Sequence, residues 1–439
     1  MQQLTAHRDT IRNLTNADET RVIEQLREKF EPGAALRSRS NAQARKLVEK
    51  IRSEGQPGLM EVFLAEYGLS THEGVALMCL AEALLRVPDT PTIDELIEDK
   101  VSPSSWGKHL GGSSSPLVNA STWALMLSGK VLKEPNASGV VDLLRGAVKR
   151  LGEPVIRLAV QRAIKEMGHQ FVLGQTIDEA VRRGKAFEKQ GYTYSYDMLG
   201  EAALTSKDAT GFFHAYCDAI RSLSQNANSD NIAGNPGISI KLSALHPRYE
   251  LGQKTRVMDE LVPRVRELAI LAKSAQMGLN IDAEEADRLD LSLDVIEAVF
   301  RSKDLAGWDG FGVVVQAYGK RASAVIDWLY AISSELDRKI MVRLVKGAYW
   351  DTEIKLAQIK GVDDFPVFTN KATTDVSYIC CASQLLSMTD RIYPQFATHN
   401  AHTVSSILEM AKDQTAFEFQ KLHGMGDSLH DLVALRSED

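Results

Sequence analysis

A chain of 439 residues, at roughly 150 per domain, has room for about three compact units and a sizeable core. Lys plus Arg number 51 against 58 Asp plus Glu, so the net charge of −7 argues against a basic face built for nucleic acid, and no apolar run approaches the ~18 residues of a membrane span. Four cysteines (Cys79, Cys217, Cys380 and Cys381) are too few and too scattered for a disulfide framework or a CxxC zinc site. The amino terminus is polar and carries no secretory h-region, so a cytoplasmic location is expected.

From Asn16 onward apolar residues recur at helical spacing, with Val22, Ile23, Leu26 and Phe30 in one segment and Leu47, Val48 and Ile51 in the next. Glu31-Pro32-Gly33 and Gln56-Pro57-Gly58 break these helices, because Pro cannot continue the hydrogen-bond ladder and Gly allows a left-handed cap. Residues 1–58 therefore read as a helical arm. Residues 59–170 read as a helical domain around the all-round apolar run Val75–Val87, ended by Pro88, with a Ser- and Gly-rich loop over 102–128 before helices resume near Val140.

After about Phe171 short apolar runs alternate with helical segments: 193–199, 237–245, 279–284, 310–319, 340–349, 393–400 and 417–424. These are seven candidate strands with crossover-length helices between them, which predicts an α/β chain with a (β/α)₈ barrel over 171–439. Polar residues fall late in each run: Asp197, Lys241, Asp282, Gln316, Arg343 with Lys346, His399 with Asn400, and Gln420 with His423. In a barrel, strand ends of this kind converge on one face around a ligand.

Several chemistries remain open on these residues alone. The carboxylates of Asp282, Glu284, Glu285 and Asp287 could hold a cation or serve as acid and base, while the last three also suit the positive end of a starting helix. His399 and His402 could approach one metal, but no metal site is expected, because the first strand supplies no His. Lys241 or Lys346 could serve as the Schiff-base lysine of an aldolase or lyase barrel, and a non-enzymatic oligomerising piece is a further alternative. Gly424-Met425-Gly426 lacks the third Gly and the βαβ context of a dinucleotide fingerprint and reads as a tight strand-to-helix turn.

The blocks Tyr196–Glu201, Ile238–Tyr249, Ile281–Arg288, Val342–Trp350, Ala397–Ala401 and Phe419–Gly426 resemble, in order, the proline dehydrogenase portion of the proline utilisation A (PutA) family, bifunctional flavoenzymes of bacterial proline breakdown. The front, around Ser105-Trp106 and Val118–Trp123, is similar to that family's arm and α-domain. The resemblance implies a barrel that binds FAD non-covalently and oxidises L-proline to Δ1-pyrroline-5-carboxylate by hydride transfer from proline C5 to flavin N5. It implies that Arg343 lies beside flavin N5, and that Asp282, Ala283, Gln316, Val345, Lys346, Gly347, Ala348, Trp350, Thr398, His399, Asn400, Gln420 and Leu422 contact the cofactor. Lys241, paired with Asp282, and the apolar Leu344, Tyr349 and Leu422 would face the substrate. Membrane quinone is the implied electron acceptor, with peripheral contact at the inner membrane, and a homodimer is among the assemblies left open. DNA-binding members begin with a ribbon-helix-helix segment; this chain opens with the arm, so no nucleic-acid partner is expected. Only 17 residues follow Leu422, and the tail carries a lone Arg436 in place of the family's Arg-Arg pair. An incomplete barrel is therefore expected, without its last strand and helix, without the downstream NAD-dependent half, and short of charge-assisted bonds to the substrate carboxylate worth roughly 1.5–3 kcal/mol each.

Overall fold

The computed structural model describes residues 2–54 and 171–434, apart from positions 413 and 415. The break at Gln56-Pro57-Gly58, the apolar helix Val75–Val87, the 102–128 loop, the helices from Val140, and Arg436 lie outside the described residues. Of the described residues, those within 2–52, 175–422 and 426–434 form one compact unit, which holds the sheet.

Seven parallel strands pair in sequence order, β1 (Ser195–Asp197), β2 (Gly237–Ile240), β3 (Leu279–Ile281), β4 (Phe311–Gln316), β5 (Ile340–Val345), β6 (Ile392–Ala397) and β7 (Glu418–Gln420). This is the sheet of a (β/α)₈ barrel through its seventh strand, as the period switching predicts. Three helices make the arm: α1 (Gln2–Asn13), α2 (Glu19–Phe30) and α3 (Ala34–Glu54). The barrel's helices are α4 (Ile177–Glu188), α5 (Ser206–Ser224), the short turn α6 (Leu242–Leu245), α7 (Lys254–Ser274), α8 (Leu289–Phe300), α9 (Ala322–Leu336), α10 (Trp350–Lys360), α11 (Lys371–Leu386), α12 (Ala401–Ala411) and α13 (Asp427–Ala434).

The strands are shorter than the apolar runs that announce them. The run over 237–245 leaves the ladder at Lys241 and closes into α6, because Leu242, Ala244 and Leu245 bury equally well in a helical turn and apolarity alone does not separate the two. Inside the barrel, Arg343, Gln395 and Glu418 share one level across β5, β6 and β7. Asn280 Nδ2 donates to Gln395 Oε1 at 2.8 Å, and Gln395 Nε2 donates to Glu418 Oε1 at 2.9 Å. A Cβ at Gly312 would lie 2.7 Å from the Asn280 amide oxygen, so glycine is what lets this polar layer form. Between strands and helices, Trp308, Trp328, Phe300 and Phe311 are buried, with the two phenylalanines stacked at 5.3 Å. Tyr378 on α11 donates toward the carbonyls of Leu344 and Ala397, at 3.1 and 3.0 Å, tying β5 to β6 beside the site.

The arm wraps this barrel. α2 begins at Asp18, whose carboxylate accepts from the Arg21 N–H at 2.8 Å, and it ends at Phe30 before Pro32. α1 packs on α9, α2 on α11, and Leu47 of α3 joins Val404 and Leu429 in a buried cluster. Arg8 bonds Asp290 at 2.9 Å and Asp294 at 3.1 Å and lies over Trp328. Lys320, with its side chain buried, donates to the Ala17 carbonyl at 2.7 Å and to Asp364 at 2.8 Å.

Candidate active site

Strand ends bring the charged residues together at one mouth. Lys241, just past β2, places its Nζ 2.8 Å from Asp197 Oδ1 and 3.0 Å from Asp282 Oδ2. From β5, Arg343 reaches across the barrel, where Nη1 donates to Ser239 Oγ at 2.8 Å and lies 3.4 Å from Asp282 Oδ1, and Nη2 donates to Ser195 Oγ at 2.9 Å. Asp282 is thus shared by two cations, and it carries the centre of the site. Burial works against the charge on Lys241, but Asp282 and Asp197 outweigh it and raise the ammonium's pKa above its usual value. A lysine so held is not the neutral amine that imine formation needs, and Lys346 is itself paired with Asp375. The Schiff-base alternative loses Lys241 as its nucleophile.

Gln316 braces the mouth from β4. Its Nε2 donates to the Glu284 carbonyl at 2.9 Å, and its Oε1 accepts from the Ala348 N–H at 3.2 Å, so the loops after β3 and β5 are held together. Glu284, Glu285 and Asp287 do not form the first turn of an α-helix, because α8 begins at Leu289 and a 3₁₀ turn over Ala286–Arg288 precedes it. Glu284 is instead a buried brace, accepting from the Ser243 N–H at 3.0 Å and from Arg288 at 2.7 Å. Ala283 lines a mostly apolar cavity of about 60 Å³ behind this loop, together with Tyr249, Tyr318 and Gln316.

On β5 successive side chains alternate. Arg343 faces the interior, so Leu344, which is fully buried, faces the helix layer, away from the substrate side expected of it. Val345 lies on the Arg343 face. Gly347 has φ of +139°, and a Cβ there would fall 2.5 Å from the Tyr318 ring. The ring of a neighbouring side chain therefore suffices to require glycine at this position. Burial pushes the Tyr349 phenol up to about 12, which keeps it a neutral, largely apolar wall beside Lys241. Trp350 opens α10 and donates from Nε1 to the Phe368 carbonyl at 2.9 Å.

The third part of the mouth follows β6 and β7. Asn400 caps α12, its Oδ1 accepting from the Thr403 N–H at 3.0 Å. His399 Nε2 accepts from the Leu422 N–H at 3.0 Å, which leaves Nδ1 to carry the ring proton, and burial holds its pKa below the usual imidazole value. His402 is exposed on α12. The Thr398 N–H donates to the Gln420 carbonyl at 3.1 Å, while the Thr398 carbonyl sits 2.9 Å from His430 Nε2. The Leu422 side chain is 64% exposed at the rim. Gly424 and Gly426 both have positive φ, as a tight strand-to-helix turn requires. Sequence reasoning passed over Ser195, Ser239 and Glu418. Glu418 accepts from Gln395, from Gln420 Nε2 at 2.6 Å and from the Tyr393 hydroxyl at 3.3 Å; a charged residue inside the apolar alternation Phe417–Gln420 was the available signal.

A flavin is tested by what the site leaves unsatisfied. Arg343 Nε is buried and donates to nothing, although both terminal nitrogens are engaged. An unpaired N–H on a fixed cation suits an acceptor atom on which negative charge develops.

Residues 180–438 match the family described as proline dehydrogenase, and residues 59–171 match one described as the DNA-binding domain of proline dehydrogenase. The chain is 50% identical over 385 residues to the bifunctional protein PutA of Escherichia coli (strain K12), covering 87% of this chain and 29% of that one. Against the bifunctional protein PutA of Rhizobium meliloti it is 51% identical over 383 residues, covering 86% and 31%. It is 26% identical over 305 residues to the proline dehydrogenase of Deinococcus radiodurans, covering 67% and 86%. The chain thus spans about three-tenths of the PutA relatives. A crystal structure of Bradyrhizobium japonicum PutA superposes with a TM-score of 0.73 at 46% identity, covering 97% of this chain and 42% of that one. That of Bdellovibrio bacteriovorus PutA, inactivated by N-propargylglycine, shares the fold at a TM-score of 0.68 and 22% identity, covering 91% and 38%.

Proposed function

Because the chain belongs to the proline dehydrogenase family, we propose that its barrel binds FAD and oxidises L-proline to Δ1-pyrroline-5-carboxylate, as one part of a longer protein of the PutA kind. The observation that carries this reading is Arg343, pinned at its terminal nitrogens with a buried Nε–H to spare, beside the Lys241–Asp282 pair. When bound, FAD supplies the two-electron acceptor for the hydride.

This chain's residues bind, orient and set charge. Arg343 stabilises negative charge where the hydride arrives. Lys241 is fixed by two carboxylates, and Asp282 balances it against Arg343, so the pocket holds its charges in compensated form. Tyr349 and Leu422 flank a small apolar ring. The Gln316 brace shapes the edge along Asp282, Ala283, Val345, Lys346, Gly347, Ala348 and Trp350, where the cofactor would lie. Thr398, His399 and Asn400, at the start of α12, and Gln420 would receive its remaining contacts. In this reading electrons pass to a membrane quinone from a cytoplasmic protein in peripheral contact with the membrane, alone or as a homodimer. Among the described residues no helix is long and apolar enough to cross a membrane, which suits contact from one side.

The visible spectrum, recorded anaerobically before and after L-proline, tests the reading. A flavin band that bleaches supports cofactor and substrate together. Because this chain is expected to be short of bonds to the substrate carboxylate and so only weakly active, bleaching is sought at saturating L-proline; a band untouched there would overturn the substrate, and a colourless protein after incubation with FAD would overturn both.

A further inference from the structure

The residues that aim Arg343 are not among those the sequence pattern singles out. Ser195 and Asp197 lie on one face of β1, and Asp197 pairs in register with Ser239 of β2, so both serines present their hydroxyls to the same side. The two oxygens are 3.5 Å apart, and each accepts from one terminal nitrogen of the guanidinium. The nearest carboxylate, Asp282, is farther at 3.4 Å and divides its charge between Arg343 and Lys241. A planar fork held at two points loses its rotational freedom. Holding it with hydroxyls leaves its charge intact, whereas a carboxylate in either place would fix the same angle and offset the positive field.

We propose that Ser195 and Ser239 are positioning residues for Arg343, a neutral cradle that engages both terminal nitrogens and holds the undiminished positive charge of the guanidinium beside a bound flavin. This rests on the flavin reading above. Neither serine touches the reacting atoms; both act through the arginine.

The test uses the full 439-residue chain reconstituted with FAD, with sulfite as the probe, because sulfite binding places negative charge on an oxidised flavin and so reads the stabilising cation. Ser239→Ala is expected to weaken sulfite binding about tenfold and to lower the midpoint potential by about 30 mV, the same factor for a two-electron couple. Ser195→Ala, at an exposed position, acts in the same direction by about threefold without disturbing packing, and it decides the matter if the buried Ser239 variant does not fold. Ser239→Asp keeps an acceptor but offsets the charge, and it weakens sulfite binding as well. In an Arg343→Lys background, which has no fork to hold, the serine substitutions change sulfite affinity by less than twofold. A merely structural role would leave sulfite affinity unmoved. Flavin-loaded serine variants with parental sulfite affinity and potential would overturn the inference alone, as would an effect undiminished in the Arg343→Lys background. A parent chain that takes up no flavin would overturn the functional reading and this inference with it.

Discussion

Removing both charges of the Lys241–Asp282 pair should cost no more than removing Asp282 alone. Each side chain is 15% exposed, and Asp282 also serves Arg343 at 3.4 Å, while Lys241 keeps Asp197 at 2.8 Å as a half-exposed second partner. Breaking a buried pair leaves an uncompensated charge at a cost of about 3–5 kcal/mol, and water reaching Asp197 places Lys241→Met below that range, at about 2 kcal/mol. Asp282→Leu leaves Arg343 without a carboxylate and Lys241 with only the half-exposed Asp197, and belongs within it, at about 3–4 kcal/mol. The double variant leaves only Arg343 short of a carboxylate, so its cost should lie near that of Asp282→Leu alone, a coupling of about 2 kcal/mol. Urea unfolding followed by tryptophan fluorescence measures this, since Trp308 and Trp328 are buried in the barrel and report its opening. Costs that add to within about 0.5 kcal/mol would refute a shared Asp282 as the keystone of the site.

Two further outcomes follow from particular contacts. Gly347→Ala, forced to φ of +139° with its Cβ on the Tyr318 ring, should displace the loop after β5 and reduce FAD uptake at least tenfold, read as flavin absorbance per protein after gel filtration. His430 is buried and its pKa is held below the usual value despite the Thr398 carbonyl at 2.9 Å, so the unfolded chain takes the proton first. Its contribution to stability is present above about pH 6.5 and is lost as pH falls toward the folded-state pKa. Between pH 7 and 5.5 the His430→Gln protein should therefore show a flatter dependence of unfolding free energy on pH, by up to about 1.4 kcal/mol per pH unit for one proton; an unchanged slope would exclude His430 as its source.

The barrel was legible because parallel strands buried on both faces leave apolar runs, and because the polar residue ending each run is what a convergent strand face demands. Lys241, Asp282 and Arg343 stood out for that reason, and the structure brings all three together. Leu344 was misplaced because a resemblance names neighbours along the chain, while strand alternation sends them to opposite sides. Ser195 and Ser239 left no mark, since a serine in a strand is unremarkable until the residue it accepts from is known. Glu284 read as a helix-start acid because its role depends on the Ser243 N–H and Arg288, which no local pattern connects.

The arm's dependence on late parts of the chain bears on synthesis. Arg8 meets Asp290 across 282 positions, α1, α2 and α3 settle in order on α9, α11 and α12, and Lys320 closes on the Ala17 carbonyl. At about 5–20 residues per second, the first-made helix waits roughly 14–56 s for its carboxylate to be translated. The segment that leaves the ribosome first is therefore among the last to find its place. An amino-terminal fusion that folds quickly would occupy the growing chain while that surface is bare, whereas the same tag at the carboxyl end is made only after the helices that receive the arm.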